Sequence, residues 1–206
     1  MNPITDDEMK DLAASTLGLG LAFAFLFFSA GDPLGYVVSP GFIPGIVAAM
    51  ALVAISFLPH EMAHRTTARA INAYAEYRMW TPGVVIAVLS SIFGFVFAAP
   101  GGVEIYTRRG ERYGTWEDLK PRHIGIISIV GPLINVSMAV IFAFLAQIFT
   151  LGFQGHNLLA LGADLNSFLA VFNLLPFYPM DGYKVLRWNI LLWVSTTALA
   201  VLTFTL

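Results

Sequence analysis

The segment Leu58-Pro59-His60-Glu61-Met62-Ala63-His64 carries the pattern H-E-x-x-H. Residues four apart stand on one face of a helix, so His60 and His64 can turn two imidazoles toward one zinc ion. Glu61 is rotated by roughly 100° from His60, at 3.6 residues per turn. It flanks the metal without having to ligate it. That place suits a general base acting on a water that the ion activates, the chemistry of metal-assisted hydrolysis. The competing reading is a chance pattern, or two histidines in a buried polar network. Context favours the metal. Three ionisable groups fall within five residues at the end of an apolar run, and such groups at membrane depth are costly and functional by default. Pro59 removes a backbone donor, should free the carbonyl of Ile55, and either kinks the helix or is simply tolerated.

The elements that must hold these residues are apolar. The chain has 206 residues, of which 57% are hydrophobic and 12% charged, and its mean hydropathy is +0.74. Soluble domains carry roughly a quarter charged residues. A polytopic, all-α membrane protein is therefore expected, as one membrane-embedded domain over 1–206 with its core at about 42–188. With no cysteine there is no thiolate site, so a metal must be held by His, Asp or Glu. Without a basic tract or a glycine-rich phosphate loop, no nucleic-acid partner is expected. The segment Met1 to Asp11 is acidic, unlike the basic start of a signal peptide.

A spanning helix needs ~20 mostly apolar residues. Leu12 to Ala30, Phe42 to Leu58 (continuing as helix to about Asn72), Ile124 to Thr150, Leu158 to Leu175 and Ile190 to Leu206 give five spans. The fourth is weakened by Asp164, Asn166 and Ser167. The last breaks off at Leu206, and a truncated C-terminus is expected from that. Gly83 to Ala99 is apolar but short. The eleven Lys and Arg lie at Lys10, after the second span, in the polar stretch 100–122, and before the last span, and none falls in loops 31–41 or 151–157. Positive charge favours the cytoplasmic side. The N-terminus is thus expected inside and those two loops outside, provided that 83–99 enters the membrane and returns on the same side. Such backbone survives at depth only when buried in protein or lining a wet cavity. A sixth true crossing is the alternative.

Catalytic zinc usually has three protein ligands and a water. His156 falls outside by this topology and is a poor candidate for the third. His123 is inside, beside Pro121-Arg122, where a surface role is commoner. Asp181, in Asn173-Leu174-Leu175-Pro176-Phe177-Tyr178-Pro179-Met180-Asp181-Gly182, arrives at the level of His60 because the fourth span runs inward. An exposed Asp in a plain turn is the other reading. From Phe42, His60 lies about 27 Å along a ~30 Å core, which puts the site toward the cytoplasmic face.

H-E-x-x-H in an apolar helix, Gly131-Pro132-Leu133-Ile134-Asn135 in a later one, and Phe172-Asn173-Leu174-Leu175-Pro176 through Pro179-Met180-Asp181-Gly182 together resemble the site-2 proteases, intramembrane zinc metalloproteases. The resemblance covers about residues 52–188. It implies one zinc per chain held by His60, His64 and Asp181, with Glu61 as the catalytic base and Asn173 facing the reacting carbonyl. Asn135 matches the family's G-P-x-x-[N/S] position in a core helix near the site, and is expected against the substrate. Ala99-Pro100-Gly101-Gly102-Val103 looks like the family's membrane-dipping β segment, expected near 99–105, with Gly101, Gly102 and Val103 against the substrate. An open strand edge there would hold an unwound peptide by β-addition, and the polar stretch 104–122 would hold the mouth of a water channel. The implied substrate is a transmembrane protein, cut in the lipid bilayer; a prokaryotic cell membrane is expected because the sequence shows no targeting extension. The departures are the long spacing from His64 to Gly131, Tyr183 after Asp181-Gly182, and a single span after Lys184. Rival readings are a metal transporter, which should spread acidic and His residues over both sides of the midplane, and an inactive membrane scaffold, which has no need of Glu61.

Overall fold

A computed structural model of the chain describes residues 4–71, 73–106 and 119–206. The first helix, α1 (Asp6–Phe28), starts where Thr5 caps it, its hydroxyl accepting the Glu8 amide at 3.1 Å. Acidic residues fill its first turn, where they complement the positive end of the helix dipole. With α3 (Phe42–Ala70) and α5 (Pro121–Ile148) it makes three helices of 23, 29 and 28 residues. At ~1.5 Å per residue each exceeds the ~30 Å of a bilayer core. Side chains such as Val47 and Phe144 remain more than 60% exposed on their outer faces, a surface suited to lipid rather than water. Among the described residues these three are long and apolar enough to cross a membrane.

The expected fourth and fifth spans form α6 (Leu158–Asn173) and α8 (Ile190–Leu202), of 16 and 13 residues. Both are apolar but fall short of ~20. The expectation of five to six spans is thus met, by length and composition, for three. Helix α3 runs unbroken through Pro59 and ends two residues before the expected Asn72.

The stretch 80–100 is an excursion rather than a crossing. Strand β1 (Tyr74–Met79) leads into the short helix α4 (Thr81–Ser91), and non-helical residues return the chain to β2 (Gly101–Tyr106). The strands pair antiparallel, with Arg78 opposite Gly102 and Met79 opposite Gly101. The Trp80 amide donates to the Pro100 carbonyl at 2.7 Å. A segment whose two ends are paired in one sheet leaves and re-enters at one level, and a sixth crossing would part them. Strand β2 is where a β segment was expected; β1 carried no clear period and was not. Residues 107–118 of the expected channel mouth lie outside the described residues.

At the far end of α1, helix α2 (Pro33–Val37) meets the hairpin of β3 (Gly152–Phe153) and β4 (His156–Asn157). The Gln154 side chain donates to the Gly41 carbonyl at 2.7 Å, and the Phe28 ring packs edge-on to Phe153 and His156. Loops 31–41 and 151–157 therefore gather at one end, as the charge pattern required. The core between α1, α3 and α6 is built on Leu19, Phe23, Val53, Leu165 and Leu169.

A buried ion pair joins α1, α3 and β1. Glu8, fully buried, meets Arg65 in a fork, Nε to Oε1 at 2.7 Å and the second guanidinium nitrogen to Oε2 at 2.9 Å. Glu8 Oε1 also accepts the Tyr77 amide at 3.0 Å, and Asp11 accepts that of Met79 at 3.3 Å. The Tyr77 ring is buried against Phe57, and its hydroxyl donates to Ser15 at 2.8 Å. Burial, and then the charge of Glu61, push the Tyr77 phenol's pKa up, so it stays a donor. Removing one partner of a buried pair strands the other charge, at a cost of about 3–5 kcal/mol. Glu8→Ala should therefore lower the thermal midpoint in detergent by several degrees more than Lys10→Ala, whose partner Asp7 is exposed. Equal midpoints would refute the clamp.

Candidate metal centre

The centre is built where α3, α5 and the helix α7 (Asp181–Trp188) meet. His60 and His64 lie on one face of α3, one turn apart. Asp181 opens α7, which packs tightly on the end of α6: a Cβ at Gly182 would meet the Leu174 carbonyl oxygen at 2.0 Å. The Asp181 Oδ2 atom lies 3.5 Å from His60 Nε2 and 3.0 Å from His64 Nε2, and the two Nε2 atoms are 3.0 Å apart. All three residues are buried. Among the described residues they form the one group of three or more His, Asp or Glu that could hold a metal ion.

The hydrogen bonds behind the rings decide which nitrogen faces inward. His64 Nδ1 lies 2.6 Å from the Ile127 carbonyl, which can only accept, so Nδ1 carries the proton. His60 Nδ1 lies 2.5 Å from Asn135 Oδ1. The Asn135 amide nitrogen donates to the Ser56 carbonyl at 3.1 Å and to Asn166 Oδ1 at 2.9 Å, so its oxygen is the atom left for His60, and that Nδ1 is a donor as well. With the ring protons on Nδ1, as metal-binding imidazoles carry them, both rings present Nε2 lone pairs to each other and to a carboxylate oxygen. Three acceptors at this separation, with no proton among them, repel unless a cation lies between. The donor set of two imidazoles and a carboxylate fits zinc.

Helix α5 serves this centre from one face, at one-turn intervals. Ile127 holds His64 and Asn135 holds His60. Between them Gly131 leaves the room for both rings: a Cβ there would lie 2.4 Å from His64 Nε2 and 2.7 Å from His60 Cε1.

Glu61 is buried beside the ligands, and its Oε2 has no hydrogen-bond partner among the described residues. It lines a cavity of about 920 Å³ together with His60, His64 and Asp181. Strand β2 supplies another wall, through Gly101, Gly102 and Val103. Alternation along the strands fixes what that wall offers. Tyr77 and Met79 turn their amides to α1, so β1 is closed on that side; Glu76 and Arg78 face Glu104 and Gly102 of β2. Gly101, Val103 and Ile105 then turn their backbone groups away from β1, and the sheet has no third strand among the described residues.

Asn173 also lines the cavity, but its amide nitrogen donates to the Leu169 carbonyl of its own helix at 3.0 Å. One of its two N–H bonds is thereby engaged. Asn135, expected against the substrate, is fully buried beside His60 Nδ1, one turn beyond Gly131 on the face of α5 that packs against α3. The sequence did not single out Ser56, the Ile127 carbonyl, or Lys184, whose ammonium lies 3.4 Å from Asp181 Oδ1. His123 sits in the first turn of α5, and His156 packs on Phe28 at the opposite end.

No family model matches the chain, and no solved structure matches it. A protein of Methanocaldococcus jannaschii provisionally named a zinc metalloprotease is 36% identical over 187 residues, which cover 90% of this chain and 86% of that protein. A second protein of the same organism, named a zinc metalloprotease, is 38% identical over 61 residues, 30% of this chain and 18% of its own length.

Proposed function

The chain belongs to the family of these zinc metalloproteases, and we propose that it is an intramembrane protease of the site-2 type. In this reading it hydrolyses peptide bonds in or near the transmembrane segments of membrane proteins, one zinc being held by His60, His64 and Asp181. The observation that carries the reading is the Glu61 carboxylate oxygen, without a hydrogen-bond partner among the described residues, beside three converging metal donors on a cavity wall. A transporter has no use for that oxygen, and neither has a scaffold.

Zinc in this place supplies a Lewis acid that makes a water acidic near neutral pH and polarises a carbonyl. Glu61 takes the proton of the attacking water at Oε2 and hands it to the departing amide nitrogen. The edge of β2 turned away from β1, unpaired among the described residues, holds the substrate, once unwound, as an added strand through Gly101, Val103 and Ile105. Asn173 offers its remaining N–H to the carbonyl oxygen as charge develops there. The short helices α6 and α8 complete a multi-pass bundle in a prokaryotic cell membrane, with the centre toward the cytoplasmic side, where Arg65, Arg69 and Arg78 lie.

The test is cleavage of a transmembrane test peptide by the detergent-purified chain. Stripping the metal with a chelator should reduce cleavage to background, and adding back about one zinc per chain should restore it. Zinc-loaded protein that leaves both transmembrane and unstructured peptides whole would overturn the proposal.

A further inference from the structure

Helix α6 contributes no metal donor, yet it places a fully buried Asn where an apolar side chain would pack. Its bonds lead to the metal. Asn166 Nδ2 donates to the Gly162 carbonyl and to Ser56 Oγ, each at 2.8 Å. Ser56 Oγ donates to the Leu52 carbonyl at 2.7 Å, so its oxygen is left to accept. These bonds set the Asn166 amide with Oδ1 toward Asn135, whose nitrogen it accepts at 2.9 Å. Asn135 Oδ1 then receives His60 Nδ1. Every link runs in one direction, because the chain starts at backbone carbonyls that cannot donate. Reversing any amide would bring two oxygens or two N–H groups face to face in a buried site, where unmade bonds are costly.

We infer that Asn166 is a positioning residue of the metal centre: acting through Asn135, it fixes the His60 tautomer that leaves Nε2 bare for the ion. Without Asn166, the Ser56 carbonyl alone holds the Asn135 amide. A flipped amide would present N–H to Nδ1 and draw the ring proton onto Nε2, where it blocks ligation. This inference rests on the reading of His60, His64 and Asp181 as a zinc site.

The measurement is zinc retention by the zinc-loaded full chain against a competing chelator. Partners behind metal-binding histidines are worth roughly 10- to 100-fold in affinity. Asn135→Leu should fall in that range, and Asn166→Leu should lose about 10-fold. The double variant should be no weaker than Asn135→Leu, since Asn166 acts only through Asn135. A purely structural role predicts instead that the two losses multiply, and that result would overturn the inference. So would an Asn166→Leu affinity within about twofold of wild type. Asn166→Asp, which burial keeps in its protonated form, leaves an acceptor oxygen for Asn135 and a hydroxyl to donate where Nδ2 does, and it decides the matter even if the leucine variant does not fold. Retention within about threefold of wild type supports the role, and a loss as large as that of Asn135→Leu removes it. Wild-type protein that takes up no zinc would overturn the metal site itself; zinc in wild type with the double-variant losses multiplying would overturn the role of Asn166 alone.

Discussion

Glu61→Gln is expected to abolish peptide cleavage while leaving zinc in place. Glutamine has the shape of glutamate, so the packing around this buried side chain is kept. What it lacks is a site for the water's proton. General base catalysis by a positioned side chain is worth about 10²–10⁴ in rate, so single-turnover cleavage should fall by about that factor. Metal content should not change, because the donors that converge are His60 Nε2, His64 Nε2 and Asp181 Oδ2. Cleavage at the wild-type rate would remove Glu61 from the reaction, and a parallel loss of zinc would make it a ligand instead.

Gly131→Ala should act through the metal. The added methyl would sit 2.4 Å from His64 Nε2 and 2.5 Å from its Cε1, where unlinked atoms do not approach within 3.0 Å. The contacted atoms belong to rings whose other nitrogens are held at 2.5 and 2.6 Å by α5 itself, so the rings cannot swing clear without breaking those bonds. Zinc affinity should drop by about 100-fold or more, beyond the usual cost of losing a supporting bond. Cleavage should disappear and return in part at high zinc. Alanine is otherwise the better helix former, by ~1 kcal/mol, so loss of zinc without loss of helical content is the distinguishing result. A variant with full zinc and full cleavage would show that the rings do not lie against α5.

The local part of this centre was open to reading from the sequence, because i, i+4 spacing alone turns His60 and His64 to one side. Asp181 was reached through topology: the distribution of Lys and Arg set the direction of each apolar run, and that set which loops shared an end. The number of spans was not legible. Hydropathy marks 158–175 and 190–206 as apolar but does not say that α6 stops at Asn173 or that α8 stops at Leu202. Strand β1 was hidden for a related reason. Ala75, Glu76 and Tyr77 are buried in succession, so Tyr74 to Met79 lacks the clean alternation of a strand with one wet face. The Ile127 carbonyl had no signal at all, since every residue carries one. Asn166 did have a signal, an uncharged polar residue inside an apolar helix, but its partners Ser56 and Asn135 lie 110 and 31 residues away in the chain.

The pairing of Met79 with Gly101 gives the polypeptide between them an unusual freedom. A detour closed at its base adds nothing to the handedness or direction of whatever follows. Residues could be inserted or deleted within 81–99 without inverting a single downstream helix, whereas the same change inside α3 or α5 would turn the ligands away from one another. Related chains can therefore diverge in this arm, and in what it admits to the cavity, while the chemistry beneath it stays fixed.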